Sequence, residues 1–381
     1  MKQMIIRHLG IALLSILALW NLNLHDAQAG TIVAWGAAGL TNPCANNVVA
    51  IATGYEQTVL LKDDGTVANC GMHWESPQVM YGTYDYPIMV PTGLTGVVAV
   101  AGGYAHSLAL KSDGTVAAWG RNTYGQTNVP IDLTNVVAIS ASDNHSLALK
   151  ADGTVVGWGQ ANANVSAGLT NVVAIEAGTD NLALRGDGTV TGWGANPNWS
   201  NYLSGLSNIV AISSGWSMGS LWRDWLALSA DGTVQGYNVP AGLTNIVAIC
   251  SSSGTDHHIN LAIRADGTVT GWGFNFYGGP IVPVGLSNVV AVSSDSSHCV
   301  ALLADHPPIL QAGITNAALD GERFSMLVPT QNGRVYRLEY KTNIMNADWT
   351  PLPLVAGNGS LLKLVDVIGS DSQRFYRVRQ W

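Results

Sequence analysis

Two stretches decide how this chain folds: VVAVAGGYAHSLALKSDGTVAAWG at residues 97–120 and VVAISASDNHSLALKADGTVVGWG at residues 136–159. They are one phrase written twice. Apolar residues alternate with small or polar ones over about five positions, which is strand periodicity. A polar loop, a second run such as Ser-Leu-Ala-Leu-Lys, and then Asp-Gly-Thr-Val leading to Trp-Gly complete the unit. Asp-Gly between two such runs marks a hairpin, because glycine accepts the positive φ of a tight turn. The corner recurs at Asp64-Gly65, Asp113-Gly114, Asp152-Gly153, Asp187-Gly188, Asp231-Gly232 and Asp266-Gly267. Each unit is a small antiparallel sheet that cannot bury its faces alone, so neighbours must stack. Radial stacking of such sheets makes a β-propeller.

A further unit begins at Asn288-Val289-Val290-Ala291-Val292 and continues through Cys299-Val300-Ala301-Leu302, but lacks its Gly-Thr-Val and Trp-Gly strand. The missing piece stands at the other end as Gly30-Thr31-Ile32-Val33-Ala34-Trp35-Gly36. The expected fold is therefore all-β: a seven-bladed propeller over residues 30–305, closed by its N-terminal strand, which removes an exposed edge. After Asp305 the repeat stops and Pro307-Pro308 marks a boundary. Strand-like runs at residues 324–328, 335–340, 361–367 and 375–378 then predict a small sandwich-like β-domain over residues 306–381, used for surface association or spacing. Its Tyr-Arg-Leu-Glu-Tyr and closing Arg-Phe-Tyr-Arg-Val resemble small C-terminal β-domains of secreted bacterial proteins.

Residues 1–29 read as a signal peptide. Lys2 and Arg7 precede an apolar stretch at residues 11–20, and Ala27-Gln28-Ala29 supplies the small-residue cleavage site. The apolar stretch is shorter than the ~20 residues of a spanning helix, and no later segment is long and apolar enough to cross a membrane. The mature chain is expected to be secreted or periplasmic, with cell-surface association as one form of this, and without a membrane span. Charged residues make up 11% of the chain, against about 25% in ordinary globular proteins. The net charge of −8 and the absence of any Lys/Arg cluster exclude nucleic acid as a partner. Four cysteines, Cys44, Cys70, Cys250 and Cys299, have no zinc-site spacing. Export permits disulfides in three possible pairings, with Cys44–Cys70 the first to test against buried free thiols.

The wording of residues 119–130, Trp-Gly-Arg-Asn-Thr-Tyr-Gly-Gln-Thr-Asn-Val-Pro, followed by Val-Val-Ala-Ile and His-Ser-Leu-Ala-Leu, resembles the regulator of chromosome condensation repeat. It is still more similar to the β-lactamase inhibitory protein II-like propellers, a secreted group with that repeat. The resemblance covers residues 30–305 and implies the fold. For function it implies protein binding, although one fold hosts many functions. Guanine-nucleotide exchange, the role of nuclear members, does not suit an exported acidic chain, and no inhibitory loop residue is matched one by one.

Catalytic patterns are weak. Gly215-Trp216-Ser217-Met218-Gly219 fits G-x-S-x-G but lies between strands, whereas a nucleophile elbow needs a strand-to-helix turn. His106, His145 and His298 share one repeat position with Gln57, Asp180, Asp224 and Ile259, which favours structural hydrogen bonding over a metal ring. The turn aspartates are accounted for by their turns, and no phosphate or dinucleotide fingerprint is present. The reading is a non-enzyme without metal or cofactor.

Aromatic residues carry more. With Trp35, Trp119, Trp158, Trp193 and Trp272 set aside as structural repeat positions, the polar loops and the segments after Trp-Gly emerge on one face, opposite the Asp-Gly turns. That face is expected to collect Trp74, Tyr84, Tyr104, Tyr124, Trp199, Trp216, Trp222, Phe274 and Phe276. Rings of this kind dominate protein interfaces. The expected function is docking of an extracellular or periplasmic protein. The alternatives are a carbohydrate-binding propeller, since such rings also stack on sugars, and a structural or adhesive envelope component.

Overall fold

The computed structural model describes residues 4–7, 30–36, 46–55, 57–71, 89–160, 163–194, 202–215, 225–254, 257–274, 281–295, 298–305, 308, 314–331, 334–368, 371 and 373–381. After β1 (Met4–Arg7) and β2 (Thr31–Gly36), three-stranded antiparallel sheets follow one another along the repeat. They are β3 (Val48–Gly54), β4 (Gln57–Lys62) and β5 (Val67–Gly71); β6 (Val97–Gly102), β7 (His106–Lys111) and β8 (Val116–Gly120); and β9 (Val136–Ser142), β10 (His145–Lys150) and β11 (Val155–Gly159). Next come β12 (Val172–Glu176), β13 (Asp180–Arg185) and β14 (Val190–Gly194); β15 (Ile209–Ser214), β16 (Trp225–Ser229) and β17 (Val234–Gly236); and β18 (Ile246–Gly254), β19 (His257–Arg264) and β20 (Val269–Phe274). β21 (Val289–Ser294) and β22 (His298–Leu303) take their third strand from the N-terminus. β2 runs antiparallel to β22, with Thr31 opposite Leu303 and Gly36 opposite His298.

The phrase dictates this geometry. In all six Asp-Gly corners the aspartate Oδ1 accepts the threonine backbone N–H two residues on, at 2.9–3.0 Å, and the threonine hydroxyl as well. The corner glycines sit at φ of 77° to 86°, which a side chain would strain. The carbonyl of each corner glycine then accepts the first N–H of the next sheet, from Gly65 to Val97 through Gly267 to Val289. Middle strands are covered by sheets on both sides. Leu108, Ala109 and Leu110 of β7, like Leu147, Ala148 and Leu149 of β10, are fully buried, which is why this strand reads as apolar and small throughout. Trp119, Trp158, Trp193 and Trp272 are buried as repeat positions should be.

Beyond the repeat lie β23 (Thr315–Asp320), β24 (Arg323–Pro329), β25 (Val335–Lys341), β26 (Thr350–Ala356), β27 (Leu361–Val367) and β28 (Gln373–Gln380). They form two sheets, β23-β24-β27 and β28-β25-β26, around a core of Phe324, Met326, Val328, Tyr336, Leu338, Leu364, Tyr376 and Val378. Phe324 stacks on Tyr376 at 3.9 Å. β1 adds to the edge of β28, while the expected cleavage site after Ala29 lies outside the described residues.

This small unit is seated on the repeat region. Val335, Leu354 and Trp381 share a core with Leu203, Leu206, Ile209 and Leu228. Leu354 N–H donates to Gly186 O at 2.7 Å, Arg337 Nη1 to Asn208 Oδ1 at 2.6 Å, and Arg379 Nη1 to Ala230 O at 2.8 Å. Gly186 and Ala230 adjoin the Asp187 and Asp231 corners, so the contact is made on the Asp-Gly side.

Candidate functional site

The loop ends of β3, β6, β9, β12, β15, β18 and β21 converge on a cavity of about 300 Å³, and Tyr55, Tyr104 and Asp143 add loop residues to its wall. The strands are held by a belt of bonds between neighbouring sheets. The fifth residue of one first strand accepts the N–H of the sixth residue in the next. Ser140 Oγ accepts Ala177 N–H at 2.9 Å, Ser213 Oγ accepts Ser251 N–H at 2.9 Å, and Ser293 Oγ accepts Thr53 N–H at 3.0 Å. Cys250 Sγ lies 3.3 Å from Ser294 Oγ. Ala52 and Ala101 hold the same position in β3 and β6 without an acceptor.

In β12 that position is Glu176, whose carboxyl takes a hydrogen bond from the Ser214 backbone. Burial pushes this carboxyl up to about 8, against which the Ser214 bond works. Burial likewise pushes the Cys250 thiol up to about 11, with the nearby Glu176 adding to it. Among the described lining residues there is no lysine or arginine.

A second belt runs through the middle strands and occupies the histidines. His106 Nε2 meets Ser146 Oγ at 3.0 Å, His145 Nε2 meets Asn181 Oδ1 at 2.8 Å, and His298 Nε2 meets Thr58 Oγ1 at 2.9 Å. Gln57, in the same repeat position, donates to His106 O at 3.1 Å and accepts from Ser107 at 3.2 Å. His298 Nδ1 also meets Asp295 Oδ2 at 2.8 Å. Burial lowers His106 to about 3 and also lowers His145, which keeps both rings neutral. Each histidine therefore ties one sheet to the next. No group of three His, Cys, Asp or Glu among the described residues forms a metal cluster.

Of the expected aromatic face, Tyr124 and Phe274 are exposed at the loop ends, at 49% and 54%. Tyr104 is half-buried and stacks on Tyr55, with centroids 4.6 Å apart and planes 12° apart. Tyr55, which repeat arithmetic passed over, is thus the ring that positions Tyr104. Trp74, Tyr84, Trp199, Trp216, Trp222 and Phe276 lie outside the described residues, as do Ser217 and Cys44. Cys70 is buried in β5. No helix among the described residues is long and apolar enough to cross a membrane.

Residues 97–126 and 136–164 match the Regulator of chromosome condensation (RCC1) repeat. These two matched stretches and the repeated three-stranded sheets give the chain an architecture like that of the regulator of chromosome condensation repeat propellers. Solved structures of the same shape include human WBSCR16, at 18% identity over 74% of this chain and 100% of that one, with a TM-score of 0.50. Prp20p from Saccharomyces cerevisiae, studied for its binding to Gsp1p and histones, gives 17% identity over 74% of this chain and 94% of that one, with a TM-score of 0.52. These likenesses establish the fold. No curated protein matches the chain by sequence.

Proposed function

We propose that this is an exported, non-catalytic binding protein: a seven-bladed propeller, closed by β2, that docks a protein partner through its loop face. The observation that carries this reading is the division of labour between the two sides. Val335, Leu354 and Trp381 of the C-terminal unit pack on the Asp-Gly side, whereas Tyr124 and Phe274 present about half their surface at the loop ends. Large rings with few rotatable bonds lose little entropy on docking and bury much area. Loops on a rigid scaffold are where binding residues concentrate. The structural likeness to Prp20p, whose partners are proteins, supports the same class of function. The bonds Gly30 N–H to Val48 O, Thr53 to Ser293 and Thr58 to His298, which join the last sheet to the first, support closure. The residues 1–29 pattern supports export.

The test is affinity capture from envelope and secreted fractions with the intact chain, compared with Tyr124→Ala/Phe274→Ala. Ile131→Ala/Val284→Ala serves as control, since both residues are fully exposed and each stands four residues before Asn135 or Asn288, which lie against the corner glycines Gly114 and Gly267 on the Asp-Gly side. A protein bound by the wild type and the control but lost with the aromatic variant is expected. Retention by all three refutes the loop face as the docking site. Capture of glycan in place of protein moves the function to the carbohydrate-binding alternative.

A further inference from the structure

The belt beside the cavity asks only for a hydrogen-bond acceptor at the fifth residue of a first strand, and serine supplies it at Ser140, Ser213 and Ser293. Glu176 performs the same backbone task with Ser214 but brings a carboxyl that the fold does not require. It stands half-buried in a cavity of about 300 Å³ whose described lining holds no basic side chain. That volume is at the small end for ligand pockets, enough for a compact head group. The stacked Tyr55 and Tyr104 line the same cavity, and tyrosine ring faces attract cations.

We propose that the cavity binds a small organic cation, with its guanidinium or ammonium group seated against Glu176 within the walls that Tyr55 and Tyr104 also line. Among the described lining residues an anion finds no cationic partner, and a carboxylate out of bulk water couples more strongly to a cation than one on the surface. Because burial holds Glu176 up to about 8, the carboxyl keeps its proton at neutral pH until a cation displaces it. The other titratable groups among the described lining residues are Cys250, Asp143, Asp295, Tyr55 and Tyr104, with His298 against Asp295. The Cys250 thiol, pushed up to about 11 by burial, does not ionise in the working range. The site stands apart from the docking reading, since it uses none of the exposed loop rings.

Calorimetric titration of the full chain with N-acetyl-arginine amide, and with its neutral isostere N-acetyl-citrulline amide, tests this between pH 6 and 9. Saturable one-to-one binding of the arginine probe alone is expected, tightening towards about tenfold per pH unit up to about pH 8 as the proton is released. Glu176→Ser, the residue its sibling strands carry, should weaken binding at least about tenfold at pH 8.5 and flatten the pH dependence. Glu176→Gln, which keeps the carbonyl acceptor, should do the same. Equal binding of the citrulline probe, no saturable binding, or unchanged affinity in both variants overturns the proposal. Tyr124→Ala/Phe274→Ala should leave the arginine affinity unaltered, which separates failure of this site from failure of the docking face.

Discussion

Deleting residues 30–36 removes β2 and leaves β22 as a bare sheet edge. Six residues of β2 are paired with β22. Taking about one backbone hydrogen bond per paired residue, at a net ~0.5–1.5 kcal/mol each, the loss is on the order of 3–9 kcal/mol. Trp35, partly buried against the clusters that contain Ile263 and Leu261, contributes about 1–2 kcal/mol more through its apolar surface. A domain is stable by only about 5–15 kcal/mol in all, so the deletion consumes much of the total. With m-values of about 1–3 kcal/mol/M in urea, the unfolding midpoint should fall by more than about 1 M. Amide exchange should report the same event locally, with residues 299–303 losing protection first. An unchanged midpoint and unchanged protection of β22 would mean that β2 is dispensable, and the closure argument would fail.

Acid should loosen all six corners together. The hydrogen bonds from Thr115 hold Asp113 at about 2, and the threonine two residues on likewise lowers Asp64, Asp152, Asp187, Asp231 and Asp266. Depressed carboxyls stabilise the fold above their unfolded value near 4, and that stability is lost as pH falls towards 2. Urea midpoints should therefore drop across this window, and Asp113→Ala should make the drop shallower. Glu176 has the opposite sign. Its carboxyl is raised, so it favours the fold least at high pH, and Glu176→Ser should raise the melting temperature at pH 8.5 by several degrees relative to its effect at pH 5, on the order expected for a 1–2 kcal/mol change. Trp381→Ala should cost about 3–5 kcal/mol, read by urea unfolding, because the ring is buried between Arg337 and Arg379 against the repeat sheets.

Much of the repeat was legible because its instructions are local. Asp-Gly-Thr forms its turn from side chain to backbone two residues on, and the runs around Leu108 and Leu147 carry the composition of a strand covered on both faces. The pairing of Thr31 with Leu303 was legible because one phrase was incomplete at each end of the chain. The C-terminal unit was read less fully. β23 and β26 were passed over, and β26 carries Pro351 and Pro353, which lack a ladder N–H. Their strand is tolerated because it lies at the edge of its sheet. Its attachment to the repeat, through Leu354, Trp381 and Arg337, is a tertiary fact with no local signature. Glu176 was not singled out, because nothing in its immediate sequence marks it. Aligning its position with Ser140, Ser213 and Ser293 would have shown a carboxyl in a hydroxyl's place.

The central claim is that the loop face, and not the Asp-Gly side, meets the partner. Placing a photoreactive residue at position 124 or 274, and in parallel at 131 or 284, puts the same chemistry at the loop ends and away from them. Irradiation in the native envelope or secreted fraction should give a protein adduct from 124 and 274 alone. Adducts from 131 and 284 with none from the loop positions would contradict the account.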